Sequence, residues 1–381
     1  MCARTALMAA LTGVVAIAVG QLYTLLDLGR GGAVDVNEDG YVVGIDALSR
    51  PVMWTPSGER VVLFEPPEAD ALTKAINLNR QVTGQMWSPS TRNRAVFWPS
   101  AATLTNLGTL PGGEDGNGSY GYGINDAGQV AGQSSSANSL HAFLWTPGRG
   151  MEDLGALANA PSYGRDVNNR EEVVGSAIVG TTGYPFYTYI SHAFLWRRGT
   201  GMIGLGGFNE QHSSSEAVAL NDNAVAAGFA TRFHAETSRT VYRAVIWRSP
   251  GAIQDLGVLY PDRENSSHAR DINNHDQVVG ESYSTPSGFH SVFVWSPSTG
   301  PEQARTAPGR RLHLGSPRDQ RSRSDRWQLR DQQRNARVHH DPGRKRGSRR
   351  AQSDGQSFDG QLRRLQYRDS RVDLACSSEW E

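Results

Sequence analysis

Three observations predict an all-β chain, a β-propeller of about six four-stranded blades with a seven-bladed ancestor behind it. The first is a unit that recurs at Asn37, Asn77, Asn125, Asn168, Asn221 and Asn273. In each, a Gly follows the Asn at a distance of seven (Gly44, Gly84, Gly132, Gly175, Gly228, Gly280). The second is a Trp that closes an apolar stretch after each Gly: Trp54, Trp98, Trp145, Trp196, Trp247 and Trp295. The third is composition. Of 381 residues 42 are Gly and 9 are Trp, and only 20% are charged, which suits turns and aromatic-anchored strands better than long helices. Successive Asn residues lie 40, 48, 43, 53 and 52 apart, a period belonging to solenoids, propellers and arrays.

The chain opens on Met1–Gly20. Arg4 precedes an apolar run from Ala6 to Val19, and the run ends in Ala18-Val19-Gly20. Small residues there suit a signal peptidase cutting before Gln21. The run falls short of the roughly 20 residues that a helix needs to cross a bilayer. The expectation is an exported protein, extracellular or periplasmic, with residues 1–20 removed and no membrane span left; a retained anchor is the alternative. Cys2 and Cys376 leave everything between them without a thiol, so packing must supply the stability there.

Gln21–Gly29 (QLYTLLDLG) reads as a fourth strand that arrives before any first strand, by comparison with Asp153-Leu154-Gly155 and Asp255-Leu256-Gly257. An N-terminal strand completing the last blade would leave no open sheet edge. The sixth unit reads as stopping near Gly300 without a fourth strand of its own, so the two ends are expected to pair.

Within a unit the third copy is cleanest. Tyr120–Asn125 reads as the first strand, Asp126-Ala127-Gly128 as a tight turn, and Gln129–Ser134 as the second strand. Leu140–Thr146 is the third, Pro147–Gly150 a turn, and Met151–Gly155 the fourth. Asn and Gly tolerate the positive φ of hairpin turns, which is the expected reason that they recur. Units of four strands and 40–50 residues have the dimensions of propeller blades. Each Trp is expected as a wedge between neighbouring blades, an upper bound of about 4–6 kcal/mol of burial apiece.

His141-Ala142-Phe143 and His192-Ala193-Phe194, each followed by Leu-Trp, resemble the HAF repeat family. So do the Ile-Asn-x-x-Gly-x-Val-x-Gly core and the Asp-Leu-Gly strand. The resemblance covers about 21–300 and is diluted outside the third and fourth units, where Arg94-Ala95-Val96, Arg243-Ala244-Val245 and His290-Ser291-Val292 replace the triplet. It implies an extracellular bacterial protein of repeated β-structure and brings no activity or catalytic residues. The Gly112-Gly113…Tyr120…Trp145 order is also loosely similar to kelch blades.

Beyond Gly300 the character changes. Residues 301–381 hold 18 Arg and one Lys against 11 acidic residues, a surplus of eight positive charges that the body, 21–300 with its leader, offsets to a net charge of zero. Such a tail is expected to be disordered. Its Arg344-Lys345-Arg346 would ordinarily suggest nucleic acid. The genetic code points elsewhere. Back-translated Arg318–Gln328, read one nucleotide later, permits Ala-Ile-Asn-Asp-Arg-Gly-Gln-Ile-Val-Gly. The Gly is forced by the Trp327 codon, and the Asn falls seven positions before it. The same shift permits His-Ala-Phe-Ile-Met from Ala336, and Asn-Arg-Leu-Ala-Leu-Leu-Pro-Gly-Asp-Asp just after Pro301. The tail therefore reads as a frameshift product covering a lost seventh repeat, and no nucleic-acid partner is expected.

Catalytic signatures are missing: no Gly-x-Ser-x-Gly elbow, no His-Glu-x-x-His, no P-loop. Acidic turns such as Asn37-Glu38-Asp39-Gly40 fall short of a calcium loop. No catalytic residue, cofactor or metal is expected. The informative variable is loop length. From Gly to Trp the spacing is 10, 14, 13, 21, 19 and 15, so the connection between second and third strands takes insertions. Variable loops on a rigid scaffold are a usual binding surface. The candidate ligand-binding residues are Tyr184, Phe186, Tyr187 and Tyr189 in one such loop and Phe233, His234 and Tyr242 around the next. The expected function is a secreted, monomeric, non-enzymatic module for binding a glycan, protein or peptide. An enzyme acting on extracellular polysaccharide or peptide, and a non-functional frameshifted remnant, are the alternatives.

Overall fold

The computed structural model describes residues 22–23, 27–114, 116–137, 139–181, 189–209, 213–234, 239–260, 265–284, 290–303, 305–306, 310–311 and 313–314. The leader, and the tail from 315 onward, lie outside them. The described residues are all-β and form a six-bladed β-propeller, the blades following one another around a ring. Blade one comprises Gly31–Val36, Val42–Asp46, Pro51–Trp54 and Arg60–Val62; blade two Asp70–Ile76, Val82–Ser88, Arg92–Ser100 and Thr103–Asn106. Blade three comprises Ser119–Ile124, Val130–Ser135, Leu140–Thr146 and Gly150–Asp153; blade four Ser162–Val167, Val173–Thr181, Tyr189–Arg197 and Gly201–Gly204. Blade five comprises Ser215–Leu220, Ala226–His234, Arg239–Trp247 and Ile253–Asp255; blade six Ser266–Ile272, Val278–Tyr283, His290–Ser296 and Gly300–Gln303. Every blade is antiparallel in chain order, and the first strands of successive blades meet from blade one through to blade six.

Two expectations are corrected. Gly300–Gln303 pairs with His290–Ser296, so the sixth blade owns its fourth strand and ends at Gln303. Leu22–Tyr23 does not enter that blade; it pairs in parallel with Arg305–Thr306 in a separate small sheet. The Gly300–Gln303 strand lacks an Asp-Leu-Gly signature, which is why it escaped notice. The second correction concerns the recurring Asn. It is not the positive-φ residue of its turn; that residue lies three positions later, as Gly40, Arg80, Gly128, Glu171, Ala224 and Asp276.

The Asn has other work. Its Oδ1 accepts the N–H four residues on, as at Gln81 (2.9 Å), Gln129 (2.9 Å) and Glu172 (3.0 Å), and holds the turn. Its Nδ2 donates to the backbone carbonyl of the next blade's Asn. The steps are Asn37 to Asn77 (2.9 Å), Asn77 to Asn125 (2.8 Å), Asn125 to Asn168 (3.0 Å), Asn168 to Asn221 (3.1 Å) and Asn221 to Asn273 (3.0 Å). A buried amide would be costly unpaired, so this ladder fixes blade against blade.

Packing repeats with the same logic. Five of the apolar clusters each join two successive blades, from blades one and two through blades five and six. The Trp of the later blade sits in each joint. Trp98 and Trp247 are buried, whereas Trp145 is half-buried against Phe97 at 5.4 Å. The wedge expectation holds. The small Ala of the His-Ala-Phe triplet is equally placed: Ala142 N–H donates to Ser162 Oγ of the next blade, and that hydroxyl donates to Gly155. His141 Nδ1 lies 2.8 Å from Asp153, tying the triplet to the Asp-Leu-Gly strand of its own blade.

Candidate functional site

Each first strand carries a β-bulge at the same place. In blade four the pairing jumps from Gly164–Gly175 to Asp166–Val174, leaving Arg165 as the extra residue. The equivalents are Val34, Lys74, Tyr122, Val218 and Arg270. A bulge re-aims the side chain it carries. Two residues earlier on the same strands stand Leu72, Tyr120, Tyr163, Glu216 and His268. These two rows lie on the innermost strands, and the contacts among Lys74, Tyr122, Arg165 and Glu216 run from blade to blade. Lys74 Nζ lies 6.0 Å from the Tyr122 ring centroid, and the Arg165 guanidinium lies 4.9 Å from it. Arg165 then pairs with Glu216 of blade five at 2.5 Å.

Past Glu216 the wall becomes aromatic. His268 is in ring contact with Phe229 (5.0 Å), Tyr242 (4.9 Å) and Tyr283 (5.5 Å), and Tyr283 with His290 (4.4 Å). Phe229 meets Tyr242 edge-on at 5.6 Å. Beside this ribbon Arg270 pairs with Glu281 at 3.1 Å, and the Tyr283 hydroxyl donates to the same carboxylate. Both Glu residues are thus engaged.

Of the expected binding residues, Tyr242 belongs to this ribbon and is 41% exposed. Tyr189 is exposed and lies near enough to Tyr163 to influence its ionisation. Phe233 is exposed but makes no ring contact with the ribbon, and His234 is half-buried with Nε2 unpaired among the described residues. Tyr184, Phe186 and Tyr187 lie outside the described residues. Sequence reading missed Tyr120, Tyr122, Tyr163, Arg165, Glu216, His268, Arg270, Glu281, Tyr283 and His290. A signal existed: the positions three and five before each Asn hold polar or aromatic residues in most units.

Burial governs the electrostatics. Burial above all, then the Arg270 charge, lowers His268 to about 4, so its imidazole is neutral near neutrality. Burial pushes the Tyr283 hydroxyl well above the usual tyrosine range, helped by Glu281. Arg165 is opposed by burial but held charged by Glu216 and Tyr122. Behind the bulges, Asp166 accepts N–H bonds from Val167 and from Leu220 of the next blade, both at 2.8 Å. Burial nonetheless lifts its carboxyl to about 7, with Asp271 and Asp35 adding repulsion across the ring; burial also raises Asp271. The described residues contain no group of three or more His, Cys, Asp or Glu placed to hold a metal.

These shifts have opposite signs in stability. Folded Asp166 retains a proton that the unfolded chain releases near 3.8, so its contribution is full in acid and is lost as pH rises through about 7. Folded His268 refuses a proton that the unfolded chain takes up near 6.5, so its contribution is present above 6.5 and is lost as pH falls toward about 4. Asp166→Asn should therefore lower the thermal midpoint on acidification from about pH 7 to about pH 5 relative to wild type, while His268→Phe should raise it. Midpoints measured at both pH values check this; parallel profiles for the two variants would contradict it.

No family model matches this chain, and no curated protein matches it in sequence. Among solved structures it is similar to the β-propeller domain of the trilobed protease from Pyrococcus furiosus, described as having an open velcro topology. That match has 9% identity and a TM-score of 0.44 over 74% of this chain and 92% of the other. It is also similar to a mutant of AofleA from Arthrobotrys oligospora, at 11% identity and a TM-score of 0.36 over 75% and 89%. A third is an exo-β-1,3-galactanase from Clostridium thermocellum, at 10% identity and a TM-score of 0.26 over 78% and 88%. The fold itself stands on the strand pairings given above.

Proposed function

We propose that this chain is an exported, non-enzymatic, monomeric binding module whose ligand is a glycan or peptide laid across the polar and aromatic wall of blades three to six. The observation that carries this reading is the aromatic ribbon Phe229–Tyr242–His268–Tyr283–His290 running beside the paired ions Arg165–Glu216 and Arg270–Glu281. Ring faces cover the apolar faces of sugars or of peptide side chains. Ion pairs already in place offer donors and acceptors in fixed directions. General acid–base work needs a carboxylate or imidazole free to exchange its proton. Glu216 and Glu281 are held by Arg, and His268 is kept neutral. Export rests on the leader of Met1–Gly20.

The test is a glycan and peptide array probed with the full chain and then with variants. Tyr242→Ala and His268→Ala should each weaken binding to the best probe by about tenfold, the effect of roughly 1.4 kcal/mol. Changing Tyr184, Tyr187 and Tyr189 together to Ala should weaken it further if that loop reaches the same ligand. Undiminished binding in all these variants would overturn the reading. Turnover of a bound probe, abolished by Glu216→Gln, would replace it with the enzymatic one.

A further inference from the structure

The inter-blade ladder stops at blade six. Asn273 Nδ2 donates to Gln277 of its own turn at 2.9 Å, as Asn77, Asn125 and Asn168 do within theirs, but among the described residues it makes no bond to a next blade, whereas the Nδ2 of each earlier Asn does. A second ladder stops with it. The backbone N–H after the Asn donates to the side chain at the same position in the next blade, from Leu78 to Asp126, Asp126 to Asn169, Asn169 to Asp222 and Asp222 to Asn274. Asp35 and Asp166 also reach forward, accepting N–H bonds from Ile76 and Leu220 of their next blades. Among the described residues Asp271 accepts only from its neighbour Ile272.

The apolar face ends in the same way. The residue before the Gly is buried at Val43, Thr83, Ala131, Val174 and Ala227, and the residue before the Trp at Met53, Phe97, Leu144, Leu195 and Ile246. Their counterparts in blade six, Val279 and Val294, are only half-buried. On the opposite side, the cluster around Trp54 contains blade-one residues and Leu28 and nothing from blade six. Five joints are built from two blades each; the sixth is one-sided.

We infer that the wedge between blades six and one is the seat of a seventh blade, and that its occupant is the unit encoded one nucleotide out of register beyond Gly300. That reading supplies what the wedge lacks. Its Asn would offer the carbonyl for Asn273 Nδ2, and its own amide would reach the Asn37 carbonyl. The following Asp would accept the Asn274 N–H, as Asp126 and Asp222 accept theirs. The Ile before the Asn would give its N–H to Asp271. The Ile and Val before the forced Gly, and the His-Ala-Phe-Ile-Met strand, would bring the apolar face toward blade one. Gln21–Gly29, which blade six does not need because it has its own fourth strand, would supply the fourth strand of the seventh and exchange the present pairing of Leu22–Tyr23 with Arg305–Thr306 for it.

The experiment compares the chain as given with one whose gene lacks a single base at the Pro301 codon and runs to the first stop of that frame. The restored chain should be monomeric, with a thermal midpoint higher by roughly 5 °C or more. Asn273→Ala should lower the midpoint of the restored chain clearly more than that of the present chain, where it removes only the bonds Asn273 makes within its own turn. Asn168→Ala should lower both, showing that the method detects a broken ladder step in either. Equal midpoints for the two chains, or an equal Asn273→Ala effect in both, would overturn the inference. So would a present chain that dimerises through Val279 and Val294, shown by loss of the dimer in Val294→Glu, because a second copy would then be the occupant.

Discussion

Gly175→Ala should destabilise the propeller by about 3 kcal/mol or more, at the upper end of what overpacking a well-filled interior costs. A Cβ built on Gly175 would stand 1.8 Å from the Tyr163 carbonyl oxygen and 3.0 Å from the Phe194 ring. The oxygen belongs to backbone that is hydrogen-bonded into the sheet, so it has no rotamer to escape into. The approach is a product of the bulge. Arg165 is the extra residue on the first strand, and inserting it drives the Tyr163 carbonyl onto the facing strand. The same contact recurs at Gly84, where Leu72 O would lie 1.9 Å away, so the effect should be general to the unit. Gly180→Ala on the same strand is the control, because a Cβ there meets nothing within 4 Å. Urea unfolding of the two variants checks the prediction. Equal losses would mean that strand flexibility, and not the bulge, explains the Gly.

The bulge also explains how much could be read from the chain beforehand. The fixed step from Asn to Gly was visible, and it counted the blades correctly. Its cause was not visible, because two different constraints set its ends. Asn125 is required where one blade's amide meets the carbonyl of the next, and Gly132 where a bulged carbonyl leaves no room for a side chain. Neither is chiefly a matter of turn conformation. Ala224 and Asp276 show as much, since both take the left-handed φ of the turn without being Gly or Asn.

The proposed site was harder to read for a related reason. Comparing repeats rewards positions that stay the same, whereas the bulge position holds Lys74, Tyr122, Arg165 and Arg270 in different units. The proposed binding wall draws on different groups at equivalent places. Loop length points to Tyr242, and the ring contacts pair it with His268 of the next blade's first strand, which no local pattern marks. The N-terminal strand was misassigned because a fourth strand is short and carries little signature, as Gly300–Gln303 demonstrates.

Trp98→Ala should cost about 3–5 kcal/mol, the range for removing a large aromatic from a core that cannot fully collapse. Trp98 is 0% exposed and packs on Val43, Met53 and Leu63 of blade one as well as on its own blade. Trp145→Ala should cost clearly less, since Trp145 is half-buried and rests chiefly on Phe97. The indole N–H separates packing from polarity. Trp98 Nε1 donates to the Phe64 carbonyl at 2.8 Å, while Trp247 Nε1 is buried without a hydrogen-bond partner among the described residues. Replacing each by Phe opens a cavity of similar size, so the difference between the variants reports the bond. Trp98→Phe should be the more destabilising by about 0.5–1.5 kcal/mol, because it removes a hydrogen bond to the Phe64 carbonyl, whereas Trp247→Phe removes a donor that was already unpaired. Thermal and urea unfolding of both variants measure that difference. A cost as large for Trp247→Phe as for Trp98→Phe would show that the wedges act through shape alone. The ladder of Asn amides would then be the principal polar restraint between blades.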